Sequence, residues 1–242
     1  IGGILLLVYF GLYTVSNLFL KRHEIKNGIG YSGIRLLIMC ALLGIIGFFM
    51  GIIFFPYAHS APITNSLKAL KEMENFQTAI RMLFEGRALW SDEIPWYYIP
   101  KWLSIALPLF ILTGIVFLIV FFRKVFNNTR RLPLFFVLFV AIFPVTYAIY
   151  KHSALYDGIR HFLFVIPVIT VLAALGWAAV GFKFKESKIK WVFPGLMVIM
   201  MLLPLRFMVA NHPDQYIYFN ELVGGIKGAH GYYETDYWMN SI

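Results

Sequence analysis

Six apolar runs, each about long enough to cross a bilayer, occupy most of this 242-residue chain. A helix rises about 1.5 Å per residue, so roughly 20 apolar residues cover a hydrocarbon core of about 30 Å. The runs fall at residues 1–20, 34–56, 102–122, 133–150, 162–182 and 191–210. Within lipid every backbone N–H and C=O must find a partner inside the protein, so runs of this length predict helices. A β-barrel would instead show short segments of alternating polarity. With 60% apolar and 14% charged residues, the composition lies outside that of a soluble domain. The expected fold is all-α, a polytopic transmembrane helical bundle of about six spans. An amphipathic helix is expected in the outer loop at 57–101. Residues 1–210 form the transmembrane domain in this reading, and residues 211–242 form an irregular extracytoplasmic tail that begins a further segment. The sequence opens without Met and within an apolar run, which reads as a piece of a longer protein.

Charge sets the expected orientation. The first connection carries Lys21, Arg22 and Lys26, with Arg35 at the start of the next run. The third carries Arg123, Lys124, Arg130 and Arg131, and the fifth carries Lys183, Lys185, Lys188 and Lys190. Basic connections of this kind stay in the cytoplasm. Of the 12 Asp and Glu, only Glu24 and Glu186 share that side, leaving it at +10 and the other at −1. Residue Ile1 and the tail are therefore expected outside. The basic residues form short clusters between spans, so the net charge of +9 does not point to nucleic acid. Asn127-Asn128-Thr129 matches a glycosylation sequon but lies in an inside loop, and Cys40 reads as a mid-span packing residue.

The outer loop has its own pattern. Ile63, Leu67, Leu70 and Met73 recur at helical spacing, with Lys68, Lys71, Glu72 and Glu74 between them. This predicts an amphipathic helix on the outer surface, packed on the bundle or headgroups, or lying as a lid over a cleft. Gly86 ends the pattern, and Ser91-Asp92-Glu93-Ile94-Pro95 reads as a turn. Pro95 and Pro100 predict an extended or irregular segment between them. Trp90, Trp96, Tyr97, Tyr98 and Trp102 are expected at headgroup depth, where amphipathic rings collect.

The fourth connection places Lys151, His152, Arg160 and His161 at one interface. A cation there can hold a phosphate headgroup by charge-assisted hydrogen bonds, and the planar guanidinium does so bidentately. Lys151 fits ordinary snorkelling to headgroups. Arg206 lies about one turn inside the outer end of the sixth run. A cation costs about 3 kcal/mol at the bilayer centre and less near the edge, so Arg206 snorkels, or pairs with a lipid phosphate or Asp157. In the tail, Glu234 and Asp236 could bind a metal or sugar hydroxyls, although facing water is the plainer reading. Five of the six histidines lie outside, at 59, 152, 161, 212 and 230. No pair has the i, i+4 spacing of helical ligands, and no metal site is assigned.

No Asp or Glu lies within the six runs, which argues against ion-coupled transport. P-loop, GxGxxG and HExxH motifs are absent from the sequence, as is a convincing internal repeat.

Several outer segments together carry a resemblance. They are Pro56-Tyr57 with Pro62, then Pro95-Trp96-Tyr97-Tyr98-Ile99-Pro100, then Tyr156-Asp157-Gly158-Ile159-Arg160-His161-Phe162 leading to Pro167. In the tail they are His212-Pro213, Tyr216-Ile217-Tyr218-Phe219-Asn220, Gly224-Gly225, Gly228-Ala229 and Tyr233-Glu234-Thr235-Asp236-Tyr237-Trp238. This set resembles the C-terminal half of bacterial family-39-type glycosyltransferases. Those are integral membrane enzymes of the GT-C class, grouped with the protein O-mannosyltransferases and the aminoarabinose transferases of lipid A. Residues 1–55 add only hydropathy. The resemblance implies a protein of the bacterial inner membrane that uses a polyprenyl-phosphate sugar donor at the outer face. The acceptor is unknown.

The resemblance implies that Arg160 meets the lipid phosphate, with His161 standing where a tyrosine is more usual. Lys151 and Arg206 complete the candidate phosphate-binding set. Tyr156, Asp157, His59, Tyr97, Glu234 and Asp236 are the candidate cleft residues. The charge developing on the leaving phosphate needs stabilising, which an arginine or a bound divalent metal can provide. No cofactor is assigned. The family's catalytic base is an Asp near the N-terminus, expected upstream of Ile1, so no catalytic residue is assigned and this piece alone is expected to be inactive. The alternative is a non-catalytic membrane module that binds or transports a lipid-linked saccharide.

Overall fold

A computed structural model describes residues 2–20, 31–74 and 79–236. The basic cluster of Lys21, Arg22 and Lys26, and Tyr237 and Trp238 of the tail, lie outside the described residues. The chain divides into two compact units, residues 1–78 and 79–242.

In the first unit the first two apolar runs form helices Gly2–Leu20 and Tyr31–Ile53, which pack on each other. Gly44 brings the second helix close to Leu7 of the first, where an added Cβ would lie 3.7 Å from a Leu7 methyl group. A corner follows. The Asn65 side chain is buried and donates to the Tyr57 carbonyl at 2.7 Å and to the Ser60 hydroxyl at 3.0 Å. It fastens the short helix Pro56–His59 to the helix Pro62–Glu74. The latter is the expected amphipathic helix, and Ile63 and Leu67 on its apolar face are exposed.

The second unit is mostly helical. Among the described residues three helical segments are long and apolar enough to cross a membrane: Arg131–Tyr150, Arg160–Lys183 and Val192–Ala210. Arg160–Lys183 opens with a 3-10 turn, Arg160–Val165, before the α-helix Ile166–Lys183. Among the described residues the count reaches four if the pair Tyr98–Ala106 and Leu109–Val120 is taken as one span, and that pair is bent by 117°. A straight third helix over 102–122 is therefore not what forms. Pro108 is the reason. It has no N–H to donate and disfavours helix in the residue before it, and Leu107 is extended at ψ 137°.

The break is capped from far along the chain. Asn220 is fully buried, and its side-chain amide donates to the carbonyls of Ser104 and Leu107, both at 2.7 Å. Its backbone N–H donates to the Ile105 carbonyl at 2.9 Å. Its side-chain oxygen accepts from the Leu222 N–H at 3.1 Å, so both ends of the amide are used. Carbonyls that lose their helical partners at the proline thus find donors, as a buried bend requires.

Beyond the break, Leu109–Val120 packs tightly against Ile166–Lys183. A Cβ added at Gly176 would fall on the Gly114 carbonyl oxygen, and one at Gly114 would lie 2.6 Å from the Ala173 carbonyl oxygen. Small residues allow this approach, as is usual where helices pack in lipid. The Trp177 indole N–H donates to the Phe110 carbonyl at 2.8 Å across the same interface.

One element departs from the all-helical expectation. Arg81–Phe84 and Arg87–Trp90 form an antiparallel hairpin. Its two-residue connection, Glu85-Gly86, has φ of 52° and 76°, the doubly left-handed turn that matches strand twist. Met82 and Phe84 point inward and are buried, while Arg81 is exposed and Leu83 half-buried. The segment expected to be irregular before the third run is also more ordered. Helix begins at Tyr98, and Pro100 falls in its first turn, where no N–H is needed.

Candidate functional site

A core cluster joins the hairpin, the Tyr98–Ala106 helix, the fourth connection and the tail. Its centre is aromatic. The Phe84 ring lies 4.9 Å from Tyr98 and 5.8 Å from Tyr233, and the Trp102 ring lies 5.7 Å from both Phe219 and Tyr233. Tyr98 and Trp102 are buried at 1% and 5% exposure, so they are not headgroup anchors as their position suggested. Trp90, Trp96 and Tyr97 remain exposed. Ser91 completes the seam: its hydroxyl accepts from the Ile80 N–H at 3.1 Å and its carbonyl from the Leu155 N–H at 3.1 Å.

The turn at 156–161 rests on this floor. Asp157 and Gly158 are both left-handed, with φ of 53° and 65°. A Cβ at Gly158 would meet the Trp102 ring at 3.1 Å, so a glycine is needed both for conformation and for space. This conformation folds the turn back on itself. Arg160 Nη1 lies 2.8 Å from Asp157 Oδ2, and the guanidinium stands 4.9 Å over the Tyr156 ring. Tyr156 in turn meets the His161 ring edge-on at 4.8 Å. His161 Nε2 is buried without a hydrogen-bond partner. Arg160 retains 28% side-chain exposure at the first residue of the apolar Arg160–Lys183 segment.

Glu234 reaches the same turn from the tail. Backbone N–H groups of Leu83 and Asp157 are aimed at its carboxyl, while Oε2 is buried without a partner. Burial, and then the neighbouring Asp157 charge, push this carboxyl up to about 7. The structure thus gathers Tyr156, Asp157, Arg160, His161 and Glu234 around one turn.

The other candidates have different surroundings. Lys151 is exposed at the C-terminal end of the Arg131–Tyr150 helix. Arg206 is exposed on the Val192–Ala210 helix, and Asp157, considered from sequence as its partner, pairs with Arg160 instead. The Tyr97 hydroxyl donates to Glu85 Oε2 at 3.2 Å, beside a Lys101–Glu85 ion pair of 3.3 Å at the hairpin tip. Asp236 accepts from the Tyr216 hydroxyl at 2.6 Å. His59 belongs to the first unit, where its Nε2 lies 2.9 Å from the Ile52 carbonyl. Among the described residues no three His, Cys, Asp or Glu gather closely enough to hold a metal ion.

An apolar groove of about 500 Å³ runs between the Leu109–Val120, Ile166–Lys183 and Val192–Ala210 helices. Ala173, Ala174, Ala178 and Gly181 form one side, facing Phe193 and Met197. A sequence reading focused on charge missed this groove; its signal was the small-residue run in the fifth apolar stretch. Asn220 was likewise read only as part of a pattern, without a role.

No protein-family model matches the chain, and neither a curated protein nor a solved structure matches it.

Proposed function

We propose that this chain is the donor-binding membrane part of a glycosyltransferase that moves a sugar from a polyprenyl phosphate to an acceptor. In this reading the protein lies in a bacterial inner membrane with about six spans, counting all six apolar runs. The turn at 156–161 and the tail face outward, and Arg160 meets the phosphate of the carrier lipid.

The observation that carries the reading is the setting of Arg160. A guanidinium with residual exposure stands at the junction of a polar turn and a 24-residue apolar helical segment. A phosphate joined to an isoprenoid chain has the same division, an anion at the interface and a hydrocarbon below it. Asp157 and the Tyr156 ring hold the guanidinium in place before any ligand arrives, so less side-chain entropy is lost on binding.

The test is binding of a fluorescent farnesyl methyl phosphodiester to the purified chain in detergent micelles. Arg160→Ala should weaken binding by roughly tenfold or more, the scale of a charge-assisted bidentate contact. Arg206→Leu should leave binding near the unmodified level. Equal binding by Arg160→Ala and the unmodified chain would refute the phosphate role.

A further inference from the structure

We infer that the helix Pro62–Glu74 is a membrane-surface anchor, lying in the outer headgroup boundary with Ile63 and Leu67 inserted among lipid. This placement rests on the proposed reading of the first two apolar runs as membrane spans, and adds a lipid contact that the reading does not contain.

The corner that carries the helix is held by hydrogen bonds. The Ile52 carbonyl, at the end of Tyr31–Ile53, meets the Phe55 N–H and His59 Nε2, both at 2.9 Å. A carbonyl only accepts, so His59 donates through that nitrogen. The Ala58 N–H returns to the Phe55 carbonyl at 2.9 Å. From the next helix, Asn65 donates to the Tyr57 carbonyl and the Ser60 hydroxyl. The start of Pro62–Glu74 is thereby tied to the last turn of Tyr31–Ile53.

The surface of this corner is apolar and open. Ile63 and Leu67 are 68% and 60% exposed. Residues at i and i+4 share a helix face, so the two form one ridge. Asn65, which ties the helix down, is buried on the opposite side. Phe54 is 81% exposed at the end of Tyr31–Ile53, and the Phe55 and Tyr57 rings, also exposed, stand edge to face at 5.9 Å.

Continuity with the preceding helix points to lipid as the occupant. Ile45, Ile46 and Phe49 of Tyr31–Ile53 are exposed as well, as suits a flank in hydrocarbon. Such a helix brings its end to the bilayer surface, and the rings at the corner then fall at headgroup depth. Lys68 and Lys71 are exposed beside the ridge, with stems long enough to carry their charges to water. Lys68, Lys71, Glu72 and Glu74 cancel in formal charge, so apolar area rather than attraction to anionic lipid drives insertion. A lipid surface also fits a narrow ridge without the shape complementarity that a protein partner needs.

Nitroxide depth measurements on the full chain in phosphatidylcholine vesicles test this. Single labels are placed through Ile45→Cys, Ile63→Cys, Leu67→Cys and Lys68→Cys in a Cys40→Ser background, and depth is read from collisions with oxygen against a water-soluble nickel chelate. The Ile45 label should report the hydrocarbon interior, which checks the span itself. The Ile63 and Leu67 labels should both sit about 5–10 Å into the headgroup–acyl boundary, and the Lys68 label in water. Four residues of helix rise about 6 Å, so an upright helix would separate the Ile63 and Leu67 depths by that amount, whereas one lying flat keeps them equal. Adding phosphatidylglycerol should leave the Leu67 depth unchanged. A Leu67 label shielded from both reagents would mean that protein covers the ridge, and one open to the chelate would place it in water. Either result overturns the anchor, while an Ile45 label in hydrocarbon leaves the spans standing. Unequal depths at Ile63 and Leu67, or insertion only with phosphatidylglycerol, would overturn it too. An Ile45 label outside the hydrocarbon would overturn the span reading and the anchor with it.

Discussion

Asn220 donates its side-chain amide to the Leu107 carbonyl at 2.7 Å, on the residue just before the proline that breaks the third apolar run. The contact joins residues 113 apart in sequence, so the tail caps the 117° bend that Pro108 makes. Asn220→Ala would leave the Ser104 and Leu107 carbonyls buried without their donors. Each unsatisfied group costs about 1–3 kcal/mol. The expected result is a clear fall in apparent Tm in detergent, with Asn220→Asp faring no better, because a carboxylate aims negative charge at two carbonyls. A thermal unfolding series checks this, and an unchanged Tm in Asn220→Ala would remove the capping role.

The crossing of Leu109–Val120 and Ile166–Lys183 depends on glycine in a way that composition alone does not show. Gly176→Ala must push the helices apart, because its Cβ falls on the Gly114 backbone. Gly181→Ala on the same helix meets nothing within 4 Å and should be tolerated. Size-exclusion profiles and apparent Tm of the two variants should separate them. Comparable behaviour would mean that the helices do not approach as described.

Glu234 gives stability a pH dependence of known sign. Its folded-state carboxyl is raised from an ordinary value of 4.5 to about 7, so the folded protein holds a proton that the unfolded chain has released. That contribution is fully present below about 4.5 and is lost as pH rises through about 7. Glu234→Gln carries no such dependence. The difference in apparent Tm between the variant and the unmodified protein should therefore grow in the variant's favour from pH 5 to pH 8. A constant difference would mean that the carboxyl titrates normally.

Orientation has a direct chemical readout. Ser153→Cys, in the fourth connection, should react with a membrane-impermeant maleimide added outside intact cells. Ser187→Cys, in the lysine-rich fifth connection, should react only after permeabilisation. The reverse pattern would invert the topology. Cys40 lies within the Tyr31–Ile53 helix, so its reactivity should be measured as background.

Much of the helical framework is legible in the sequence because the hydrocarbon thickness sets a single length, and runs such as 133–150 and 191–210 match it. The third run misleads because hydropathy averages over Pro108 and registers apolar length but not the direction of the chain. The hairpin is hidden because it is short. Arg81-Met82-Leu83-Phe84 alternates in burial but not in polarity, since three apolar residues follow one another, so even with Glu85-Gly86 as a plausible tight turn the strand has no period-two signal to set beside a longer helical pattern. The site is legible in part. Arg160 and Asp157 are three residues apart and their pairing is local, whereas the arrival of Glu234 at the same turn is a long-range event without a local pattern. Tyr98 and Trp102 resemble interfacial anchors by type and position, and the packing of the hairpin, the fourth connection and the tail around them makes them core.

The placement of the carrier phosphate is tested most directly by photo-crosslinking. A farnesyl phosphodiester bearing a diazirine next to the phosphate would be irradiated with the purified protein in micelles, and the adducts mapped by mass spectrometry. Adducts concentrated at residues 156–161, and lost in Arg160→Ala, are the expected result. Adducts confined to the Val192–Ala210 helix, or unchanged in Arg160→Ala, would contradict a phosphate site at Arg160.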